Sequence, residues 1–168
     1  MRTVIQHLNK IFIPLLPETR CFGIKRLLWR LAGVQIGKNV RICSSARIIG
    51  DGTLVISDGT WIGPGCFISS SSAIRIGRDC NIAPNVAIIT GTHEIDTEGP
   101  SIAGEGYALP IEIGNGVWIC ASCTIVAGAK VGDRSILAAG SVVTHDVTAG
   151  ELWGGVPAKR IKTLIVQE

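Results

Sequence analysis

Residues 113–143 read IGNGVWICASCTIVAGAKVGDRSILAAGSVV. Cut every six letters, they fall into register as IGNGVW, ICASCT, IVAGAK, VGDRSI, LAAGSV and V. The leading position holds Ile113, Ile119, Ile125, Val131, Leu137 and Val143. A period of six belongs neither to an α-helix, which repeats about every 3.6 residues, nor to an ordinary strand, which alternates. Two residues before each leading aliphatic stand Ile111, Val117, Cys123, Ala129, Ser135 and Ser141, mostly small. One residue after stand Gly114, Cys120, Val126, Gly132 and Ala138, often smaller still. Six residues make one flat side, three sides make a triangular coil of about 18 residues, and coils stack at ~4.8 Å. The stretch therefore predicts an all-β chain, a parallel β-helix with the repeated aliphatic pointing inward and small residues at the corners.

Upstream the same rhythm holds at Ile36, Ile42 and Ile48, at Ile56, Ile62 and Ile68, and at Ile76, Ile82 and Ile88. These coils start 20 residues apart, so one corner of each carries two extra residues, at 50–53 and at 69–72. With the coils of 113–143, about five coils give a prism roughly 20–25 Å tall. Between Ile88 and Ile113 the period fails, which predicts an ejected loop over 89–112. A loop that long inside a tight repeat is usually functional. The chain divides into an N-terminal helical cap (1–33), the repeat (34–148) and a short C-terminal tail (149–168). Within the cap, Ile24, Leu27, Leu28 and Leu31 recur at helical spacing between Glu18 and Ala32. That stripe predicts an amphipathic helix laid on the open first coil, with a membrane-surface role as the sharper alternative.

The composition suits a turn-rich solenoid: 168 residues, 21 Gly and only 17% charged, too apolar for a disordered chain. No apolar run approaches the ~18 residues of a transmembrane helix, and Ile11 to Leu16, broken by Pro14, does not read as a signal peptide. Cys66, Cys80 and Cys123 occupy the small inward position, Cys43 and Cys120 the position after the aliphatic. They read as small apolar fillers, without CxxC or zinc-type spacing, and point to the cytoplasm. Net charge is +3, but before residue 50 nine Lys/Arg face one acid, Glu18. That asymmetry reads either as a solvated face or as attraction to an anionic membrane surface. Nothing beyond it suggests nucleic acid.

Of three histidines, His93 is best placed, at the start of the ejected loop, where a near-neutral imidazole can act as general base on a hydroxyl. Glu94 and Asp96 are near enough in sequence to orient its ring. A zinc hydratase built on such a prism needs converging histidines, whereas these stand at 7, 93 and 145. No metal is expected.

Four segments, residues 76–93, 110–119, 138–144 and 155–159, together resemble the hexapeptide-repeat O-acetyltransferases, and the order matches too. The likeness is closest to the maltose/galactoside acetyltransferases and the acetyltransferases of capsule and exopolysaccharide synthesis. Residues 16–33 resemble the polysaccharide branch more. The resemblance implies a left-handed β-helix, acetyl-CoA as donor, a saccharide hydroxyl as acceptor, and a homotrimer with active sites between subunits. It makes His93 the catalytic base and places Trp118 beside the cleft. It gives Ala121 a backbone N–H facing the thioester oxyanion, and puts Ala139 and Thr144 along the pantetheine arm and nucleotide. Lys159 and Lys162 would meet the nucleotide phosphates, which suits their charge.

Two departures stand out. His145 occupies a position where the family often has lysine, and no acceptor-orienting asparagine stands near Gly65, Cys66 and Phe67. Acceptor recognition is therefore expected elsewhere, at Ser69, Ser70 and their neighbours or at Tyr107. The reading is saccharide O-acetylation in polysaccharide biosynthesis. An N-acetyltransferase acting on an amino sugar or amino acid and a non-catalytic scaffold are the alternatives.

Overall fold

The computed structural model describes residues 2–164. Three parallel sheets wind into a left-handed triangular prism. The first face is built from Gln35–Ile36, Leu54–Ile56, Ile74–Ile76, Ile111–Ile113 and Lys130–Val131. The second stacks Arg41–Ile42, Trp61–Ile62, Asn81–Ile82, Trp118–Ile119 and Ile136–Leu137, and the third Arg47–Ile49, Phe67–Ser69, Ala87–Ile89, Thr124–Ile125 and Val142–Val143. Pairing is in register through the repeated aliphatics. Ile36 lies under Ile56, then Ile76, Ile113 and Val131. The core is three such ladders, every rung buried.

The position two residues before each rung is more than small. Thr60 donates its hydroxyl to Gly77 O at 2.8 Å, and Ser135 donates to Gly132 O at 2.7 Å. The Cys66, Cys80 and Cys123 thiols donate to Ala83 O, Gly114 O and Ala138 O at 3.2, 3.0 and 3.0 Å. At these corners a carbonyl lies beyond the ladder's reach, and a short side-chain donor satisfies it. Gly77 shows how tightly the coils approach: a Cβ there would stand 2.4 Å from the carbonyl oxygen of Gly114 in the next coil.

The prism extends further than the six-residue rhythm. Val147 bridges to Val131, and Glu151–Gly154 pairs parallel to Ile136–Leu137, so two faces of a sixth coil follow the fifth. Lys159–Thr163 then turns back antiparallel along that last strand. Much of the tail from 149 is thus laid onto the prism; its residues 165–168 lie outside the described ones. The periodicity hid this because the coil is short, 16 residues from Val131 to Val147, with Ala149 and Gly155 where aliphatics were due.

The cap is a layer of two helices, α1 (Arg2–Phe12) and α2 (Phe22–Leu31). The expectation that the stripe of α2 packs on the first coil is overturned. Ile24, Leu27 and Leu31 are exposed and only Leu28 of the stripe packs against the core, while Lys25 and Trp29 are buried. The reason is chemical: the first coil ends in unpaired backbone groups, and these need polar partners. Arg26 donates to Val40 O at 3.0 Å, Arg30 to Ile36 O at 2.7 Å, and Gln6 to Gly50 O at 3.0 Å. Lys25 Nζ donates to Pro17 O and Glu18 O at 2.9 and 2.8 Å, and its burial pulls its pKa down. Asn9, also buried, ties α1 to α2 through Leu28 O at 2.9 Å. No helix among the described residues is long and apolar enough to cross a membrane.

Candidate active site

The ejected segment is an antiparallel hairpin, Gly91–Ile95 against Ala103–Ala108. It is rooted by Thr90, which is fully buried. The Thr90 hydroxyl donates to Ser69 O at 3.0 Å and accepts the Ser71 and Ser72 N–H groups at 2.9 and 3.1 Å. Leu109 N donates to Thr90 O at 3.0 Å and closes the base. The corner extension at 69–72 thus serves as a footing for the hairpin one coil above it.

His93 stands on the first hairpin strand opposite Gly106. Its Nδ1 lies 2.9 Å from the carbonyl oxygen of Gly104. A carbonyl only accepts, so the neutral ring carries its proton on Nδ1 and leaves Nε2 as a free lone pair, the form a general base requires. Asp96, one of the two acids expected to orient the ring, does other work. The Asp96 carboxylate accepts Glu98 N and Gly99 N at 2.9 and 2.8 Å, and these bonds hold its pKa below the usual value. It shapes the hairpin's turn; a backbone carbonyl orients the His93 ring. Sequence could not show this, because a carbonyl has no letter of its own and Gly104 becomes the partner only through the hairpin register.

Beside the ring opens a cleft of 440 Å³ lined by Ser71, Thr92, His93, Gly106, Tyr107 and others. Tyr107, one of the residues expected to meet the acceptor, lines this cleft. Ser70 does not: it is buried, with its hydroxyl 3.3 Å from Ile49 O. Ser69 is half-buried on the third face, and the serine that lines the cleft is Ser71. A more enclosed cavity of 300 Å³ lies between the helices and the first coil, against Trp29, and holds none of the candidate residues.

The other candidates lie along a different edge of the same prism. Trp118 is 50% exposed on the second face. Ala121 and Ala139 occupy the following corner in successive coils, joined by Gly140 N donating to Ala121 O at 2.9 Å. Lys159 and Lys162 are exposed on the last strand, which extends the sheet of the second face at its edge. Thr144 lies apart from these, at the hairpin's corner two coils higher, 2.8 Å from His145 Nδ1. The third face therefore separates two halves: His93, its cleft and Thr144 on one edge, Trp118, Ala121, Ala139 and the lysines on the other.

Cysteine chemistry does not compete with the histidine. Cys43, Cys66, Cys80 and Cys123 are buried, and burial pushes their thiols up, Cys43 to about 11. Cys120, next to Ala121, is raised for the same reason. A thiol held protonated is a poor nucleophile. Among the described residues no three His, Cys, Asp or Glu side chains converge as a metal site would require.

Residues 110–145 match the bacterial transferase hexapeptide model of six repeats. A lipopolysaccharide biosynthesis O-acetyl transferase, so named, of Escherichia coli K12 is 30% identical over 139 residues, which cover 77% of this chain and 71% of that one. The chain belongs to the hexapeptide-repeat acetyltransferases. The galactoside O-acetyltransferase of the same organism is 32% identical over 129 residues, 65% of this chain and 63% of that one. This chain thus spans less than two thirds of that relative's length. Among solved structures, the hexapeptide-repeat acetyltransferase of Vibrio cholerae superposes with a TM-score of 0.76 at 26% identity, over 98% of this chain and 93% of that one. The likeness first seen in four short segments thus extends along the whole prism.

Proposed function

We propose that this acetyltransferase moves an acetyl group from acetyl-CoA to a hydroxyl of a saccharide, in polysaccharide assembly. The observation that carries the reading is the His93 ring, tied through Nδ1 to Gly104 O with its other nitrogen free beside an open cleft. Nε2 takes the hydroxyl proton as the oxygen attacks the thioester carbonyl. The tetrahedral intermediate then expels the CoA sulfur, which receives that proton back. Such a base contributes about 10²–10⁴-fold. An N–H at Ala121 facing the oxyanion would contribute on the order of 3 kcal/mol. Trp118, Ala139 and Thr144 would line the path of the donor, and Lys159 and Lys162 would pair with its phosphates.

Because most of the donor's residues and the base lie on opposite sides of one face, the complete site is assembled from two copies. The hairpin of one meets the Trp118 edge of the next in a homotrimer. Sequence relatives named for O-acetyl transfer support a hydroxyl acceptor.

The test is release of CoA thiol from acetyl-CoA with a panel of sugars, nucleotide sugars and amino sugars. Turnover on hydroxyl acceptors is expected. Turnover on amines alone would replace this reading with N-acetylation, and no turnover with no acetyl-CoA binding would leave a scaffold. His93→Ala should lose about 10²–10⁴-fold in kcat with donor binding and melting unchanged. Retained activity would remove His93 from its role.

A further inference from the structure

The two N-terminal helices are inside out. On α1 the side chains turned to the prism are Gln6, Asn9 and, just beyond, Ile13; on α2 they are Lys25 and Trp29. Turned away are Val4, Leu8, Ile11, Phe12 and Leu15 from the first helix and its extension, and Ile24, Leu27 and Leu31 from the second. Leu15 is 77% exposed and Val4 63%. Each set recurs at three- and four-residue steps, so each forms one stripe along its helix. The helices pack against each other and both rest on the first coil, so the two stripes share the outer side of the layer.

The fold does not use these stripes. Toward the prism the helices present donors aimed at the carbonyls of the first coil together with Ile13 and Trp29, which join its core, and that core is complete without the eight outward side chains. A surface of eight large apolar side chains is more than a monomer scatters by chance, and such patches mark interaction sites.

Charge selects the occupant. Residues 1–33 carry six Lys/Arg and a single acid, Glu18. That acid is already engaged, accepting Ser45 Oγ at 2.7 Å. Lys25, Arg26 and Arg30 are committed to backbone carbonyls. Lys10 and Arg20 remain exposed on the same layer. A second copy docked here through a two-fold contact would set like charge against like. An anionic bilayer instead accepts both features, the apolar stripes entering the headgroup boundary while the cations meet lipid phosphates.

We propose that α1 and α2 form a membrane-docking layer that holds the prism end-on against an anionic lipid surface. The hairpin root lies on the third coil, two coil steps or about 10 Å from the docked first coil. The cleft beside His93 thereby faces substrates near the bilayer rather than deep in solvent. The inference does not depend on acetyl transfer, and its test has no turnover in it.

The experiment is sedimentation of the full chain with vesicles of 30% phosphatidylglycerol in phosphatidylcholine (about that fraction, chosen as a moderately anionic probe), against phosphatidylcholine alone. Binding to the anionic vesicles, weakened by salt, is expected. Lys10→Gln with Arg20→Gln should lower the partition coefficient about fivefold per cation. Ile11→Glu with Leu27→Glu should reduce it to the phosphatidylcholine level. All four positions are exposed, so melting temperatures should match the parent. No binding to anionic vesicles would overturn the proposal. So would a concentration-dependent assembly that Ile11→Glu with Leu27→Glu abolishes while vesicle binding is nil, since that outcome assigns the face to a second copy.

Discussion

Gly106 faces His93 across the hairpin, and its missing side chain is where the ring lies. A Cβ built on Gly106 would stand 3.4 Å from His93 Cε1 and 3.7 Å from Nδ1. Alanine therefore fits at the tight end of van der Waals contact, with a give of a few tenths of an ångström. Valine adds two methyl groups about 1.5 Å further out, and at least one is directed over the imidazole. To clear it the ring must swing by about 1 Å, stretching the 2.9 Å contact with Gly104 O that fixes both tautomer and direction. A misplacement of that size costs about 10²-fold in a positioned reaction. The hairpin is exposed here and valine favours strands, so stability should hardly change. The assay is initial rates of CoA release at saturating acetyl-CoA, with donor binding by calorimetry and melting in parallel. Gly106→Ala should keep kcat within a few-fold, while Gly106→Val should lose about 10²-fold with donor affinity and melting intact. A valine variant turning over like the parent, or an alanine variant as impaired as the valine one, would refute the steric account of how His93 is aimed.

The ladder predicts a position-dependent core. Ile76→Ala removes three carbon groups worth about 0.8 kcal/mol each. It also leaves a void that cannot close, because the rungs at Ile56 and Ile113 are fixed at strand spacing, so the total is about 3–4 kcal/mol. Ile36→Ala, at the end rung under the helices, should cost less; urea unfolding at one protomer concentration distinguishes them, and equal costs would count against a rigid ladder. Thiol accessibility gives another check, since Cys21 is exposed and Cys43, Cys66, Cys80 and Cys123 are buried. A disulfide reagent should modify Cys21 at once and those four only on unfolding. Burial, with Glu18 nearby, pushes the Cys43 thiol from 9.0 to about 11. Between those values the unfolded chain has lost a proton that the folded chain keeps, so stability is present below pH 9 and falls as pH rises toward 11. Melting scans at pH 8 and 11 should show a smaller drop in Cys43→Ala than in the parent, and identical drops would contradict the assignment.

The prism was legible because the chain states it six residues at a time. An inward aliphatic has no substitute in a triangular coil, and Ile76 or Ile113 could be placed from letters alone. Three features escaped. The sixth coil comes two residues early, so its inward Val147 and Trp153 fall off the six-residue count and only the pairing shows it. The cysteines at positions 66, 80 and 123 read as fillers, although their alternation with Thr60, Ser135 and Ser141 at one place in the hexad was a visible signal for a hydrogen-bond donor. The helical stripe of Ile24, Leu27 and Leu31 was found at the right spacing but assigned to the wrong side. Periodicity tells which side chains share a face of a helix, not which face meets the protein, and here the surface beneath is a rim of carbonyls. In the site, the hairpin's place and His93 followed from the broken rhythm, while the ring's partner, Gly104, followed only from strand register. The division of the remaining candidates between two prism edges likewise needs the fold, since nothing in the letters puts Trp118 and His93 on different corners.

The hairpin root has a consequence for inheritance. Ile76 pairs with Ile113 and Ile88 with Ile125 with no slip in register, although the excursion from Gly91 to Ala108 lies between them. With Leu109 N bonded to Thr90 O, the prism meets the same closed corner whatever is strung beyond it. Lengthening such a loop costs only about 0.6 kcal/mol per doubling, less than one misplaced rung. Mutation can therefore rewrite the hairpin that lines the His93 cleft without renegotiating the scaffold, and a new cleft lining is open to a chain whose architecture stays still.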